Sequence, residues 1–464
     1  MVSQGTPVYY TRVFIWETAE DDITITGPSI IPSGSTLDMD GNTMTNNLGA
    51  ANLVIEDGAQ VICDNDFDGT MLKNITAYAD ANGNAGYYLI ASPIEDFEPT
   101  AANGFLTQDY DLYAYDASAE PNEWINFNDQ EDGGFNLFGY HGYLYASGQN
   151  TTLQFAGTLN DMSTLNDGWA GFVELAYGDA NDPIKNLTLV GNSGTANTTF
   201  YMYDNNDDLV NSFTYLTLNA DGGSFTTNID AEAVVAPLEA IFVLAPDAGY
   251  NIYNDDNIIG KSVQNVNVKV SRVSGNLLDN AIMSFNGSMM RKIYLNDYST
   301  RVYFPISNED YAVVPAQLEG DQPVNFKANE NGTYVLSVEV NNLEMNYLHL
   351  IDNMTGADVD LLATPSYTFE ARTTDYASRF RLVFSANDLE ENISSDNFAF
   401  FNGSEWVVSN TGEATLQVVD VLGRVLSTET VNGNATINVN QPTGVYMLRL
   451  VNGNNARVQK VVVR

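Results

Sequence analysis

The sequence predicts an all-β, multidomain protein. Short runs of alternating apolar and polar residues recur from end to end, as at 333–340, 379–384 and 415–419, the period of half-buried strands. Asn-Gly and Asp-Gly pairs, at Asn331, Asn432, Asn452 and Asp57 among others, break these runs where hairpin turns need positive φ. Helical periodicity is almost absent.

Four parts follow in order. In residues 1–72, IIPSGSTLDMDG from Ile30 echoes LVIEDGAQVICDN from Leu53, with Ile31/Ile55, Gly34/Gly58 and Leu37/Val61 each 24 residues apart. That period predicts the end of a short, truncated β-solenoid, one strand and one glycine turn per coil. Residues 73–260 read as a duplicated β-module. YYLIASPI at 87–94 matches LTLVGNSG at 187–194, DLYAYD at 111–116 is aligned with FYMYD at 200–204, and GYLYASGQNTTLQF at 142–155 with EAIFVLAPDAGYNIY at 239–253. Residues 261–390 hold seven or eight short strands, from KIYLND to RFRLVFS, and predict a β-sandwich. After an acidic linker at 387–396, residues 391–464 form a small, immunoglobulin-like second sandwich.

Charge supports a division near Gly260. Of 18 basic and 60 acidic residues, residues 1–260 carry only Arg12, Lys73 and Lys185 against 38 acidic ones, while 261–464 carry 15 against 22. A net charge of −42 repels phosphate, so no nucleic acid is expected as partner. No apolar run approaches the roughly 18 residues of a transmembrane helix. One cysteine, Cys63, and two histidines, His141 and His349, leave no Cys-based zinc site and few routes to His-dependent catalysis.

The motifs that carry chemistry are scarce. HExxH, CxxC, P-loop and dinucleotide-binding glycine patterns are missing. In GNSGT, Thr195 breaks the G-x-S-x-G pattern, so Ser193 reads as a turn residue. Asp64, Asp66 and Asp68, followed by Gly69, reproduce the first half of a calcium loop. Position 12 would be Ile75 in place of a bidentate Glu, and an acidic β-turn explains the same residues. Calcium is thus the one cofactor the sequence raises. Trp124, Trp169, Tyr140, Tyr143 and Tyr145 could bind sugar faces, although aromatics at alternate strand positions also serve as core. His349 reads as structural.

The C-terminal segment is the most informative. Asp420, Gly423 and Arg424 form a D-x-x-G-R turn; Pro442, Gly444 and Tyr446 belong to P-x-G-V-Y; and Lys460 lies in the closing Q-K-V-V-V. Spaced in this way to the last residue, they resemble the type A C-terminal sorting domain of the type IX secretion system of Bacteroidota. The resemblance implies an exported protein, extracellular or on the outer-membrane surface and reached through the periplasm. Its partners would be the secretion machinery and a sortase-like processing enzyme cutting near 387–396. Export needs an N-terminal signal, and the first 22 residues offer only a four-residue apolar stretch, 13–16. The chain is therefore expected to lack its native N-terminus, consistent with a solenoid that begins mid-rung. The expected function is non-catalytic adhesion or ligand binding, with carbohydrate or a host protein as ligand. The alternative is the accessory tail of a secreted protease or glycosidase whose catalytic domain lies upstream.

Overall fold

The computed structural model describes residues 12–387, apart from 16, 79–85, 121, 131–132, 160–171, 220–223, 255–262, 286, 288 and 295–298. It also describes residues 399–463, apart from 402–404, 409–411, 421–423, 434, 439–441, 443 and 453–454. The chain is all-β and divides into two compact units, Met1–Ala386 and Asn387–Arg464.

The larger unit begins as stacked coils. Ser29–Ile31 lies parallel on Leu53–Ile55, Thr36–Asp38 on Gln60–Ile62, and Ile23–Thr24 on Met44–Thr45. The 24-residue echo is thus a register: Ile31 pairs with Ile55 and Leu37 with Val61. These side chains are fully buried, and Gly34 donates its N–H to the Gly58 carbonyl at 3.1 Å on the coil corner.

Two copies of an eight-strand module follow. The first contains β1 (Phe67–Ile75), β2 (Tyr88–Ala91), β3 (Asp96–Phe97), β4 (Tyr110–Tyr115), β5 (Trp124–Asn126), β6 (Leu137–Phe138), β7 (Gly142–Ser147) and β8 (Thr151–Leu159). The second contains β9 (Phe172–Glu174), β10 (Leu187–Gly191), β11 (Thr198–Tyr203), β12 (Phe213–Leu218), β13 (Phe225–Asp230), β14 (Ala233–Val235), β15 (Ala240–Leu244) and β16 (Asn251–Asn254). The strand orders coincide, β2-β7-β4-β5 in one copy and β10-β15-β12-β13 in the other. The pairs β1–β8 and β3–β6 likewise correspond to β9–β16 and β11–β14.

This topology corrects one alignment drawn from the sequence. The counterpart of FYMYD, in β11, is the two-residue β3, and the counterpart of DLYAYD, in β4, is β12. Both aromatic runs alternate, and alternation alone cannot say which strand of a sheet a segment occupies. The first copy also starts inside the coils. β1 pairs parallel with Leu53–Ile55 on one edge and antiparallel with β8 on the other, so it closes the stack and opens the module.

The copies meet across a local dyad. Ile90 bridges Glu239, and its equivalent Val190 bridges His141. Ala91 donates to the Leu238 carbonyl at 3.1 Å, and Gly191 to the Tyr140 carbonyl at 2.9 Å. The two residues whose carbonyls accept in this contact share one strained shape: Tyr140 has φ 62° and Leu238 φ 63°, unusual for residues with a Cβ. Leu89, Leu144, Leu189, Leu216, Phe225 and Phe242 fill the interface as one apolar cluster. A Cβ on Gly142 would stand 2.6 Å from that of Ala240, and one on Gly191 would stand 2.5 Å from that of Ala91. At both places the absence of a side chain lets the sheets close.

The rest of the larger unit is a sheet folded over one core. Its hydrogen-bonded path runs from Asp358–Asp360 at one end to Ser366–Ala371 at the other. The ends come back together, because Phe369 packs edge-on against Phe380 at 4.9 Å between ring centroids. Arg379 lies over both rings, 4.6 Å from that of Phe369 and 5.1 Å from that of Phe380, and binds buried Asp352 through Nε and Nη2. The path includes β17 (Asn265–Arg272), β18 (Leu277–Ser284) and β19 (Gly332–Asn341), with β17 between the other two. Val266, Val268 and Val270 of β17 point into the core.

The smaller unit has two sheets. Ala399–Phe401, Glu405–Val408 and Ala435–Asn438 form one; Val425–Asn432, Glu413–Asp420, Gly444–Asn452 and Asn455–Val463 form the other, in that order. Trp406, Leu416, Val418, Val431, Tyr446, Leu448 and Leu450 make its core. Alternate positions of Glu405–Val408, Glu413–Asp420 and Gly444–Asn452 supply most of these side chains, as a two-layer sandwich requires.

Candidate functional site

In the smaller unit, strand register gathers the sequence motifs at one end of the four-stranded sheet. Asp420 pairs with Tyr446 and Tyr446 with Val461, while Lys460 stands opposite Met447. Gly444 begins the strand that carries Tyr446. Tyr446 is buried, and its hydroxyl donates to the Pro442 carbonyl at 2.7 Å, which ties the ring to the exposed turn before the strand. Arg424 is exposed, and beside it Val425 and Leu426 on the edge strand are 51% and 46% exposed. Gly423 lies outside the described residues, as does most of the expected processing segment, from 388 on.

The acidic turn of the larger unit has a different occupation. Asn65 Oδ1 accepts from Met44 N and its Nδ2 donates to Met44 O, which fastens one coil to the next. Asp68 accepts from Thr158 Oγ1 at 2.9 Å, across the β1–β8 pair. Asp64 and Asp66 are exposed. Among the described residues, no three Asp, Glu, His or Cys side chains gather as a metal would require. The expected calcium ligands Asp64, Asp66 and Asp68 form no such group: Asp64 and Asp66 precede β1, while Asp68 lies within it and is bonded to Thr158.

Three of the five aromatic candidates are packed. Tyr143 and Tyr145 are buried in the core shared by the coils and the first module copy. Trp124 packs edge-on against Tyr115 and Phe242, at the dyad interface. Tyr140 holds the strained φ described above, and Trp169 lies outside the described residues. Ser193 is a buried latch: its Oγ accepts from Tyr140 N at 2.6 Å, while Thr195 exchanges two hydrogen bonds with Val61 on the last coil. His141 Nδ1 contacts the Gly139 carbonyl and His349 Nδ1 contacts Asp358 at 2.6 Å. Neither contact pairs a histidine with a hydroxyl or thiol.

Both lysines of residues 1–260 are drawn to the dyad. Lys73 of the first copy reaches Glu239 of the second at 3.0 Å and Asp57 of the coils at 3.6 Å. Lys185 of the second reaches Glu123 and Glu120 of the first at 2.7 and 3.1 Å. The hydrogen bond from Lys185 holds the Glu123 carboxyl below its ordinary range.

A polar cleft of about 240 Å³ opens between the β12–β13 hairpin and the outer face of β17 and β19. Tyr215, Asn228 and Asp230 form one wall; Asn265, Asn267, Lys269, Glu339 and Asn341 form the other. The sequence reading passed over these residues. An outward asparagine on an alternating strand reads as ordinary solvent-facing polarity, and only the covering hairpin makes it a wall. The available signal was the repetition in N-V-N-V-K-V at 265–270.

Comparison with known proteins agrees with the C-terminal geometry. Residues 401–464 match the family model of the secretion system C-terminal sorting domain. No curated protein matches the chain. Among solved structures, the BSP domain of a biofilm associated protein is similar at 10% identity, covering 84% of this chain and 97% of that one, with a TM-score of 0.12. A TM-score that low carries no argument about fold or function. Among the described residues no helix is long and apolar enough to cross a membrane. The chain carries a C-terminal sorting domain for type IX secretion, and it is cargo of that system, bound for the cell surface or the extracellular space.

Proposed function

We propose that residues up to about 386 are a non-catalytic scaffold for adhesion or ligand display on a bacterium of the Bacteroidota type. Residues 397–464 then act as the detachable address. The observation that carries this reading is the matched sorting domain forming a compact unit of its own, beginning at Asn387. A separate unit can engage the secretion machinery and be cut away by a sortase-like enzyme without unfolding the cargo. Recognition would use the motif end of the four-stranded sheet, where Asp420, Tyr446 and Lys460 occupy adjacent strands. The histidine contacts and the buried Ser193 support a non-catalytic cargo.

Deleting residues 397–464 should strand the cargo in the periplasm, read by fractionation and immunoblotting of surface, medium and periplasm. Normal surface export of the truncated chain would sink the proposal. The mass of the exported product should place its C-terminus near residues 387–396.

A further inference from the structure

The cleft beside β17 has the chemistry of a binding site. On β17, Val266, Val268 and Val270 point inward, so Asn265, Asn267 and Lys269 project from the opposite face. An outer sheet face usually meets water; here the β12–β13 hairpin covers it, and Asn265 and Asn267 are buried. The hairpin is clamped in place. Asn280 of β18 accepts from Thr227 N at 2.7 Å and donates to Thr227 O at 2.8 Å.

Asn265 is held at both ends, its Oδ1 by Asn341 and its Nδ2 by the Val263 carbonyl at 3.4 Å, while Asn267, Asn341 and Asn342 are each fixed by one. Asn267 Oδ1 accepts from Asn280 Nδ2 at 3.0 Å, Asn341 Nδ2 donates to Asn265 Oδ1 at 3.1 Å, and Asn342 Nδ2 donates to Val263 O at 3.1 Å. Among the described residues, the Nδ2 of Asn267 and the Oδ1 of Asn341 and Asn342 take no protein partner. These donors and acceptors face the cleft, so a molecule that displaces water there must both donate and accept. Lys269 is neutralised by Glu339, with which it pairs directly. Asp230 supplies a carboxylate and leaves little attraction for an anion. Tyr215, opposite Asn228 on the hairpin, adds an aromatic wall. The volume of about 240 Å³ lies below the roughly 300–1,000 Å³ of sites for larger ligands, and suits one sugar ring.

We infer that this cleft, formed by Asn228, Asp230 and Tyr215 on one side and Asn267, Glu339 and Asn341 on the other, binds the terminal unit of a neutral glycan. Hydroxyl groups on a ring are dense in paired donors and acceptors, which is what fixed amides and carboxylates recognise. The inference rests on the reading of the chain as a ligand-displaying surface protein and names the ligand class.

The test uses the full chain on an array of immobilised neutral oligosaccharides ending in glucose, galactose, mannose or N-acetylglucosamine. At least one terminal sugar should retain the protein and be competed by the free monosaccharide at millimolar concentration. N341A and N228A should each reduce retention at least fivefold with an unchanged melting temperature. The isosteric N341D, which exchanges an amide for a carboxylate without a change of volume, should do the same if N341A fails to fold. No retention on any sugar, or retention unaffected by N341D and N228A, overturns the inference and leaves a water-filled cleft. Cell adhesion separates the two levels. If cells displaying the N228A/N341D double variant adhere like wild type while cells lacking the protein do not, the cleft assignment fails and the display reading survives. If cells lacking the protein adhere normally, the display reading itself falls.

Discussion

The first module copy, 67–159, and the second, 172–254, share eight strands and a dyad but use their hairpins differently. In the first, β5 has three residues and Trp124 packs inward on Phe242. In the second, β12 and β13 have six residues each and reach the following sheet, where Thr227 meets Asn280. The far sides differ as well. Phe97, Phe105, Phe127 and Phe155 of the first copy belong to one core with the coils, whereas the second keeps a separate core around Val190, Phe200 and Ile252. Topology alone therefore does not decide what a module binds. The extent of strand pairing in one hairpin and the polarity of its outer residues do.

Perturbing the dyad should show whether the copies depend on each other. Gly191→Ala has the largest expected effect, because its Cβ would lie 2.5 Å from that of Ala91 and 2.6 Å from the His141 carbonyl oxygen. Overpacking against backbone should cost about 3 kcal/mol, read as a fall in the first melting transition. Gly142→Ala should cost somewhat less, about 2 kcal/mol, and Ala240→Gly should recover part of that loss; no recovery would mean the contact at 2.6 Å is not what limits closure. Lys73→Met leaves Glu239 unpaired beside the coils and should cost about 1–2 kcal/mol, since Glu239 is half exposed and water replaces part of the lost pairing.

The Lys185 contact predicts a pH effect of smaller size. Glu123 has a lowered carboxyl pKa in the folded chain, owing first to Lys185. Its contribution to stability is therefore present above the ordinary value of 4.5 and is lost as pH falls through the lowered one. Wild type should melt above Lys185→Met at pH 7, and the two should converge as pH falls through the lowered Glu123 value. Calcium should have the smallest effect. With Asn65 fastening two coils and Asp68 bonded to Thr158, millimolar calcium should leave the melting temperature of the full chain unchanged. A rise of several degrees would restore a cation role for the Asp64–Asp66–Asp68 corner.

What the sequence disclosed follows the range of the forces involved. The coil register was legible because Ile31/Ile55 and Leu37/Val61 repeat at a fixed spacing and stack directly. The strands of the C-terminal unit were legible because each alternates cleanly around its own core. The counterpart of β11 was not, since a two-residue strand at Asp96–Phe97 has no period to detect. Nor were the roles of Tyr143 and Tyr145, packed in the core with the coils, or of Trp124, packed on Phe242 of the second copy, because burial against elements far along the chain leaves no local trace. The cleft escaped for the converse reason: its asparagines look solvated until another element covers them.

The small residues at the dyad also carry a history. In a homodimer of single modules, position 91 would face its own copy, as would position 142, so each contact would pair two identical residues. Two alanines would place their Cβ atoms about 2.5 Å apart, and two glycines would leave both surfaces bare. Joining the copies in one chain removes that identity, and Gly191 can oppose Ala91 while Gly142 opposes Ala240. Two copies in one chain thus free the interface from self-complementarity, and the same freedom allows the two hairpins, Tyr110–Asn126 and Phe213–Asp230, to differ in pairing and outer residues.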